Sequence, residues 1–194
     1  MKNELKKAVK NFGGFMDTIP AKEESVKKIE RLFQTALPQD YRTFLLEYGY
    51  ALPNSENVEF TPIKSSGAFA GSALGCFFGI DIEPVLAAEG GYEDSDLTNV
   101  IKEHKDTMPE WCIPIGDDLD DDDHENIICM SLAQETFGHI CLWEVEKMPA
   151  QAKYSDLHLL ANSFYEFLAG LKLGEAPEEA AKPSFFKRLF GGRS

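Results

Sequence analysis

Three short apolar runs decide the fold class of this chain: WCIPI at residues 111–115, NIICMSL at 126–132 and HICLWE at 139–144. Within each run the apolar residues alternate or nearly alternate, which is typical of strands in a sheet that helices half cover. The second and third runs are separated by a short loop that ends in Gly138. We therefore expect an antiparallel hairpin at this point of the sheet.

The segments on either side of these runs alternate between helical and strand patterns. Helices are predicted over residues 2–12, 22–36, 38–49, 94–105 and 155–171, with one helical turn at 84–88. Two more short strands are predicted over residues 58–60 and 76–80. Helices followed by a sheet with interspersed helices indicate the α+β class. We expect N-terminal helices packed with a mixed, mainly antiparallel sheet and a C-terminal helix.

The chain length of 194 residues favours one compact domain with a tail. We expect an N-terminal helical extension over residues 1–19, an α+β domain over 20–173 and a flexible linker with a tail over 174–194. The tail contains FFKRLF at residues 185–190, which combines aromatic and cationic side chains. One short segment of this kind contacts a membrane surface or another protein only weakly. Docking of the tail onto the chain's own acidic body is an open alternative.

The charge of the chain is concentrated in one segment. The formal net charge is −14, and residues 81–146 contain 19 acidic side chains and only two lysines, a net charge of −17. All other residues together sum to +3. An excess of negative charge repels nucleic acid and anionic lipid, which excludes a nucleic-acid-binding domain. Stable membrane insertion is excluded separately, because the longest nearly uncharged stretch, residues 67–80, is too short and too Gly-rich to span a bilayer. The acidic segment therefore predicts a basic partner or a counter-ion.

The densest run of acids, residues 117–125, is expected to form a loop between two strands. Packing like charges this closely destabilises the folded chain, so a purely structural role is disfavoured. A calcium loop would use Asp118, Asp120 and Asp122, but its sixth position is Asp123 instead of Gly, and its twelfth is Cys129 instead of Glu. We therefore predict a protein-binding acidic loop and no metal or cofactor, with a solvated loop and weak cation binding as alternatives.

Sequence signals for catalysis are thin. Exposed aspartates share one environment, whereas an acid–base pair needs two different ones. His124 opens no H-E-x-x-H motif, and the chain contains no G-x-S-x-G motif. His104 and His139 are interpreted as structural histidines, although a Cys/His pair that meets only in the fold stays open. We predict that the chain is not an enzyme.

Cysteine usage and targeting signals predict a cytoplasmic protein. The four cysteines form no C-x-x-C motif, and each of Cys112, Cys129 and Cys141 lies inside an apolar run. Reduced, buried thiols are therefore expected. No apolar segment follows the charged N-terminus, and no stretch is long enough to span a bilayer.

The order of these motifs resembles the SUKH superfamily, of the Smi/Knr type. The resemblance rests on LPQDYRTFLLEYG at residues 37–49, FFGI at 77–80, WCIPIGDD at 111–118 and the two strands that follow. It covers residues 20–171 and implies an α+β domain that binds proteins. For a bacterial chain, the resemblance implies an immunity protein, which blocks a toxin made in the same cell. The chain departs from the common pattern at residues 120–123, where an acidic stretch replaces a Gly-rich turn, and at Ser131, where the family commonly has Asp.

Charge and resemblance together predict a non-catalytic immunity protein that neutralises a cognate toxin. The toxin is expected to have a basic cleft, as in a nuclease or another enzyme that acts on nucleic acid. The predicted partner-binding residues are Glu93, Asp94, Asp96, Asp117, Asp118, Asp120, Asp121, Asp122, Asp123, Glu125, Glu144 and Glu146. The alternatives are a regulatory or scaffold domain with a host partner, for example at the cell envelope, and a divalent-cation-dependent enzyme or sensor.

Overall fold

The computed structural model describes residues 1–82, 95–119 and 126–174, and this part of the chain forms an α+β fold. The helices are α1 (Lys2–Asn11), α2 (Glu23–Leu32), α3 (Gln39–Glu47), α4 (Leu97–Glu103) and α5 (Phe164–Gly170). The strands are β1 (Phe15–Ile19), β2 (Tyr50–Pro53), β3 (Val58–Phe60), β4 (Ser72–Phe77), β5 (Cys112–Asp118), β6 (Asn126–Ser131), β7 (Ile140–Glu144), β8 (His158–Ala161) and β9 (Lys172–Leu173). The predicted fold class is confirmed.

One nine-stranded sheet organises the molecule. Its order is β1-β2-β4-β5-β6-β7-β8, while β3 pairs with both β4 and β9. The paired strands are antiparallel, and two isolated parallel bridges join Ile19 to Gly49 and Gly79 to Asp96. The predicted hairpin is confirmed by β6 and β7, in which Cys129 lies opposite Cys141.

Helices cover both faces of the central strands. On one face, Phe77 of β4 packs against Phe44 of α3 and Phe164 of α5. On the other face, Trp143 of β7 packs edge-on against His104, which follows α4. Burial of both faces explains why every residue of β6 is buried, whereas a half-covered sheet would leave alternate residues exposed.

The C-terminal prediction needs a correction. The expected helix from Ser155 to Leu171 is wrong in its first half, because residues 158–161 form β8 beside β7. The helix begins only at Phe164, where the Ser163 Oγ accepts a hydrogen bond of 3.1 Å from the backbone N–H of Glu166. The apolar spacing at residues 157–164 fits a helix, but the sheet edge offered by β7 stabilises the extended form instead.

Other boundaries also differ from the predictions. Strand β4 covers residues 72–77 instead of 76–80, and α4 is capped by Asp96 instead of Asp94 or Ser95. The sequence pattern does not predict strands β1, β2 and β9, and the predicted turn at 84–88 lies outside the described residues. Among the helices of the described ranges, none has the length and apolar character needed to cross a membrane.

Candidate functional site

The acid run lies between β5 and β6, but the loop predicted over residues 117–125 is wrong at its start, because Asp117 and Asp118 belong to β5. Asp117 and Asp118 end β5, and Asn126 begins β6. We call residues 119–125 the β5–β6 connection. Seven predicted binding residues lie outside the described part of the chain: Glu93, Asp94, Asp120, Asp121, Asp122, Asp123 and Glu125. The structure therefore describes how the ends of the connection are held.

Asp117 directs its carboxyl group toward β4. Its Oδ1 accepts a hydrogen bond of 2.6 Å from the backbone N–H of Cys76. The carboxyl group occupies space that exists only because Gly75 has no side chain. Burial raises the pKa of Asp117 to about 7, because it outweighs the hydrogen bond from Cys76 that favours the charged form. The carboxyl group of Asp117 thus forms a contact between β5 and β4 within the sheet.

Asp118 points to the opposite face of β5 and fastens the two ends of the connection together. Its Oδ2 accepts a hydrogen bond of 3.1 Å from the side-chain Nδ2 of Asn126. The next residue, Leu119, donates its backbone N–H to the carbonyl oxygen of Ala73 at 2.8 Å. Both ends of the β5–β6 connection are therefore tied to the sheet.

Glu144 lies opposite Asn126 in the β6–β7 ladder, so the end of β7 lies beside the end of the β5–β6 connection. Its carboxylate accepts hydrogen bonds from His158 Nε2 at 2.8 Å and from Lys147 Nζ at 2.9 Å. Burial raises the pKa of Glu144, but these two hydrogen bonds outweigh it and leave the pKa below its ordinary value. Glu146, two residues later, is exposed. Of these two glutamates, Glu146 is the one that presents its side chain to solvent.

Asp96 is a buried helix cap, with 4% of its surface exposed. Its Oδ1 accepts from the backbone N–H of Thr98, and its Oδ2 accepts from the backbone N–H of Ile82, each at 2.9 Å. Both carboxylate oxygens are therefore used to begin α4 and to hold the chain before residue 83. The structure does not bring Asp96 to the surface beside Glu146.

His158 is a polar residue that contacts Glu144, and the sequence pattern does not predict this contact. Its Nδ1 lies 2.9 Å from Ser65 Oγ and 3.2 Å from the backbone nitrogen of Ser66, and Phe69 stacks on the ring. The apolar residues around position 158 fit a helix, which hides its place in a strand. A serine, a histidine and Glu144 meet here, but Ser65 contacts Nδ1 and Glu144 contacts Nε2, which is the reverse of a hydrolase triad, and the histidine is only 1% exposed. The arrangement fastens residues 65–69 to β7 and β8.

Three thiols line the face of the sheet that α4 covers. Cys112, Cys129 and Cys141 are buried, which confirms their predicted burial, and Cys76 is buried as well. Burial raises the pKa of Cys141 to about 12, so its thiol stays protonated at neutral pH. Within the described ranges, no group of three or more His, Cys, Asp or Glu side chains is arranged to hold a metal ion.

The fold and the β5–β6 connection define a protein class: an α+β domain whose antiparallel sheet carries an acidic connection between adjacent strands. The sequence model of the SMI1 / KNR4 family (SUKH-1) matches residues 20–170, most of the chain. The chain belongs to this family, which confirms the resemblance seen in the sequence. No curated protein matches the chain. Strand β1 precedes the matched range but pairs with β2, so the sheet of the family domain continues into the preceding residues.

Proposed function

We propose that this chain is a non-catalytic immunity protein that binds and neutralises a cognate bacterial toxin in the cytoplasm of the producing cell. Membership of the SUKH-1 family supports a role in binding proteins. The segregated charge supports the choice of partner, since residues 81–146 carry a net charge of −17. A basic surface is the natural complement of such a segment.

The observation that carries this proposal is the way the β5–β6 connection is held. Its ends are fixed by Asp118, Asn126 and Leu119, while the family pattern has a neutral turn where this chain has four successive aspartates. Because the residues on either side of the acidic stretch are fixed to the sheet, the stretch starts and ends at defined positions, and localised charge favours fast and specific association.

The described contacts support a smaller set of proposed binding residues. Asp96, Asp117, Asp118 and Glu144 use their carboxyl groups within the protein, as caps, ladder acceptors or ion-pair partners. We therefore assign the toxin contact mainly to the acids of the connection, Asp120, Asp121, Asp122, Asp123 and Glu125, and we include Glu146 because its side chain is exposed. Glu93 and Asp94 remain part of the proposed face.

The proposed partner is a toxin domain with a basic cleft, such as a nuclease. Closely spaced carboxylates resemble the charge spacing of a nucleic-acid backbone and would occupy a cleft built for phosphates. Steering by opposite charges raises association rates, and added salt screens this effect. The proposed complex therefore forms quickly at low ionic strength and more slowly at high ionic strength.

The test is to change residues 120–123 from Asp to Asn together and to measure association with the toxin encoded beside this chain. We expect association to slow by about tenfold or more and protection of toxin-expressing cells to be lost, with folding intact. The matched control neutralises four exposed acids of the same segment that lie outside the proposed face: Glu103, Asp106, Glu110 and Glu135. Equal effects of the two sets would contradict a specific acidic face, and unchanged binding in the Asp-to-Asn set would refute it.

A further inference from the structure

The ladder between β4 and β5 is interrupted just before the β5–β6 connection. Leu74 pairs with Asp118 and Phe77 pairs with Gly116, so three steps along β4 match two steps along β5. A bulge of this kind leaves backbone groups of the longer strand without their regular partners. The backbone N–H of Cys76 lies within this bulge, and a buried N–H without an acceptor destabilises a fold by about 1–3 kcal/mol.

The carboxyl group of Asp117 supplies the missing acceptor. Its Oδ1 lies 2.6 Å from the nitrogen of Cys76. A side chain at Gly75 would overlap this oxygen and would come within 3.1 Å of the Asp117 Cγ, so only glycine leaves room for the carboxyl group. On the facing strand, a Cβ at Gly116 would overlap the carbonyl oxygen of Cys76. Two glycines and one aspartate thus allow the bulge to close.

This bulge lies directly beside the start of the β5–β6 connection. With Asp117 turned into the bulge, Asp118 faces the other side of the sheet and reaches Asn126. Leu119 then donates to Ala73, two residues before the glycine that accommodates the carboxyl group. These contacts place the point at which the chain leaves the sheet next to the bulge that Asp117 closes.

We propose that Asp117 is a positioning residue: its side-chain oxygen closes the β4–β5 bulge and thereby fixes the origin of the acidic connection, without contacting the partner. This inference rests on the proposed function for its consequence in binding, but the bulge itself can be tested without a toxin. It assigns Asp117 a different role from its acidic neighbours, although all are the same amino acid in one nearly continuous run.

The experiment compares Asp117→Asn with Asp117→Ala, which remove the same charge. The Asn side chain keeps an oxygen that accepts from Cys76, whereas Ala has none. We expect the Cys76 amide, followed by NMR, to exchange with solvent at least tenfold faster in Asp117→Ala and at a rate close to wild type in Asp117→Asn. Gly75→Ala keeps the carboxylate but removes its space, so it should behave like Asp117→Ala.

Toxin binding supplies the second readout. Dissociation should be several-fold faster in Asp117→Ala and Gly75→Ala, and close to wild type in Asp117→Asn. If Asp117→Asn and Asp117→Ala weaken binding equally, Asp117 acts through its charge and the positioning role is overturned. The positioning role also fails if the Cys76 amide exchanges at one rate in all variants. If the wild-type chain binds no toxin, the proposed function fails, while the exchange rates still decide the role of Asp117.

Discussion

The carboxyl group of Asp117 carries a linkage between folding and pH. Burial raises its pKa from 3.8 to about 7 in the folded chain. Between these two values the folded chain holds a proton that the unfolded chain has released, so folding is favoured at low pH and this contribution is lost as the pH rises through 7. A neutral carboxyl group is compatible with the bulge, because one oxygen still accepts from Cys76 when the other carries the proton.

Asp117→Asn should remove this pH dependence, because an amide does not titrate. We expect the free energy of unfolding of the wild type, relative to the variant, to fall by about 1–4 kcal/mol between pH 4 and pH 8. Urea unfolding at several pH values measures this difference. Glu135→Gln, which changes an exposed acid of the same segment, serves as the control and should leave the pH profile unchanged. A constant difference between wild type and Asp117→Asn would show that Asp117 does not titrate in this range.

At the scale of single elements, the start of α5 decides how the C-terminal part of the chain folds. Ser163 caps the helix, whereas Ser155, the cap that the sequence predicts, lies in a short 3-10 turn. Ser163→Ala should lower the free energy of unfolding by about 1 kcal/mol, because the N–H of Glu166 loses its acceptor. Ser155→Ala is the matched control and should change it by less than about 0.5 kcal/mol. Urea unfolding compares the two, and a larger loss in Ser155→Ala would contradict the observed helix boundary.

The elements that the sequence predicts well are those with a repeated apolar pattern. Helices α2 and α3 and the hairpin of β6 and β7 have such a pattern, because one side of each faces the core throughout its length. Strand β1 lies at the sheet edge and buries none of its five residues fully, so it has no alternation to detect. Strand β8 has apolar spacing that fits a helix equally well, and only its pairing with β7 decides between them.

The candidate site is predictable to the same extent. The position of the acid run between two strands follows from composition and turn signals, and the structure places its ends there. Which carboxyl groups are engaged inside the protein does not follow from sequence. The role of Asp117 depends on a bulge in a different strand, and that of Glu144 depends on His158, which lies fourteen residues away in a strand that resembles a helix in sequence. Long-range pairing of this kind leaves no local pattern.

At the scale of the whole molecule, the acidic segment and the first 80 residues supply helices to different layers of the fold. Helices α1, α3 and α5 pack on one another on the face of the sheet that contains Phe77, and α4 lies on the face that contains Trp143. The acidic segment supplies α4 and the central strands, whereas the first 80 residues are almost neutral, with ten basic and nine acidic side chains. The negative charge is therefore concentrated in the segment that supplies α4 and strands β5 to β7, and in the proposed complex this charge would orient a basic partner during encounter.

Removal of the tail tests the proposed immunity function against the alternative of a regulatory domain at the cell envelope. Residues 175–194 contain four basic and three acidic side chains, so removing them changes the net charge by only one unit and leaves the acidic segment intact. The family match ends at residue 170, and the described sheet ends with β9, where Gly174 donates to the carbonyl oxygen of Asn57. If toxin binding depends on the acids of the β5–β6 connection, a chain of residues 1–174 should keep its affinity for the toxin within about threefold of the full chain and should still protect cells.

Titration calorimetry with the toxin and a survival assay measure these two properties of the shortened chain. The matched control changes only Lys187 and Arg188 to Gln in the full chain, which lowers the positive charge of the tail while keeping its aromatic residues. Loss of protection in the shortened chain, with affinity for the toxin unchanged, would mean that the tail brings the protein to its place of action. Loss of affinity in both variants would contradict binding through the acids of the β5–β6 connection. It would indicate instead that the basic tail binds an acidic surface of the partner.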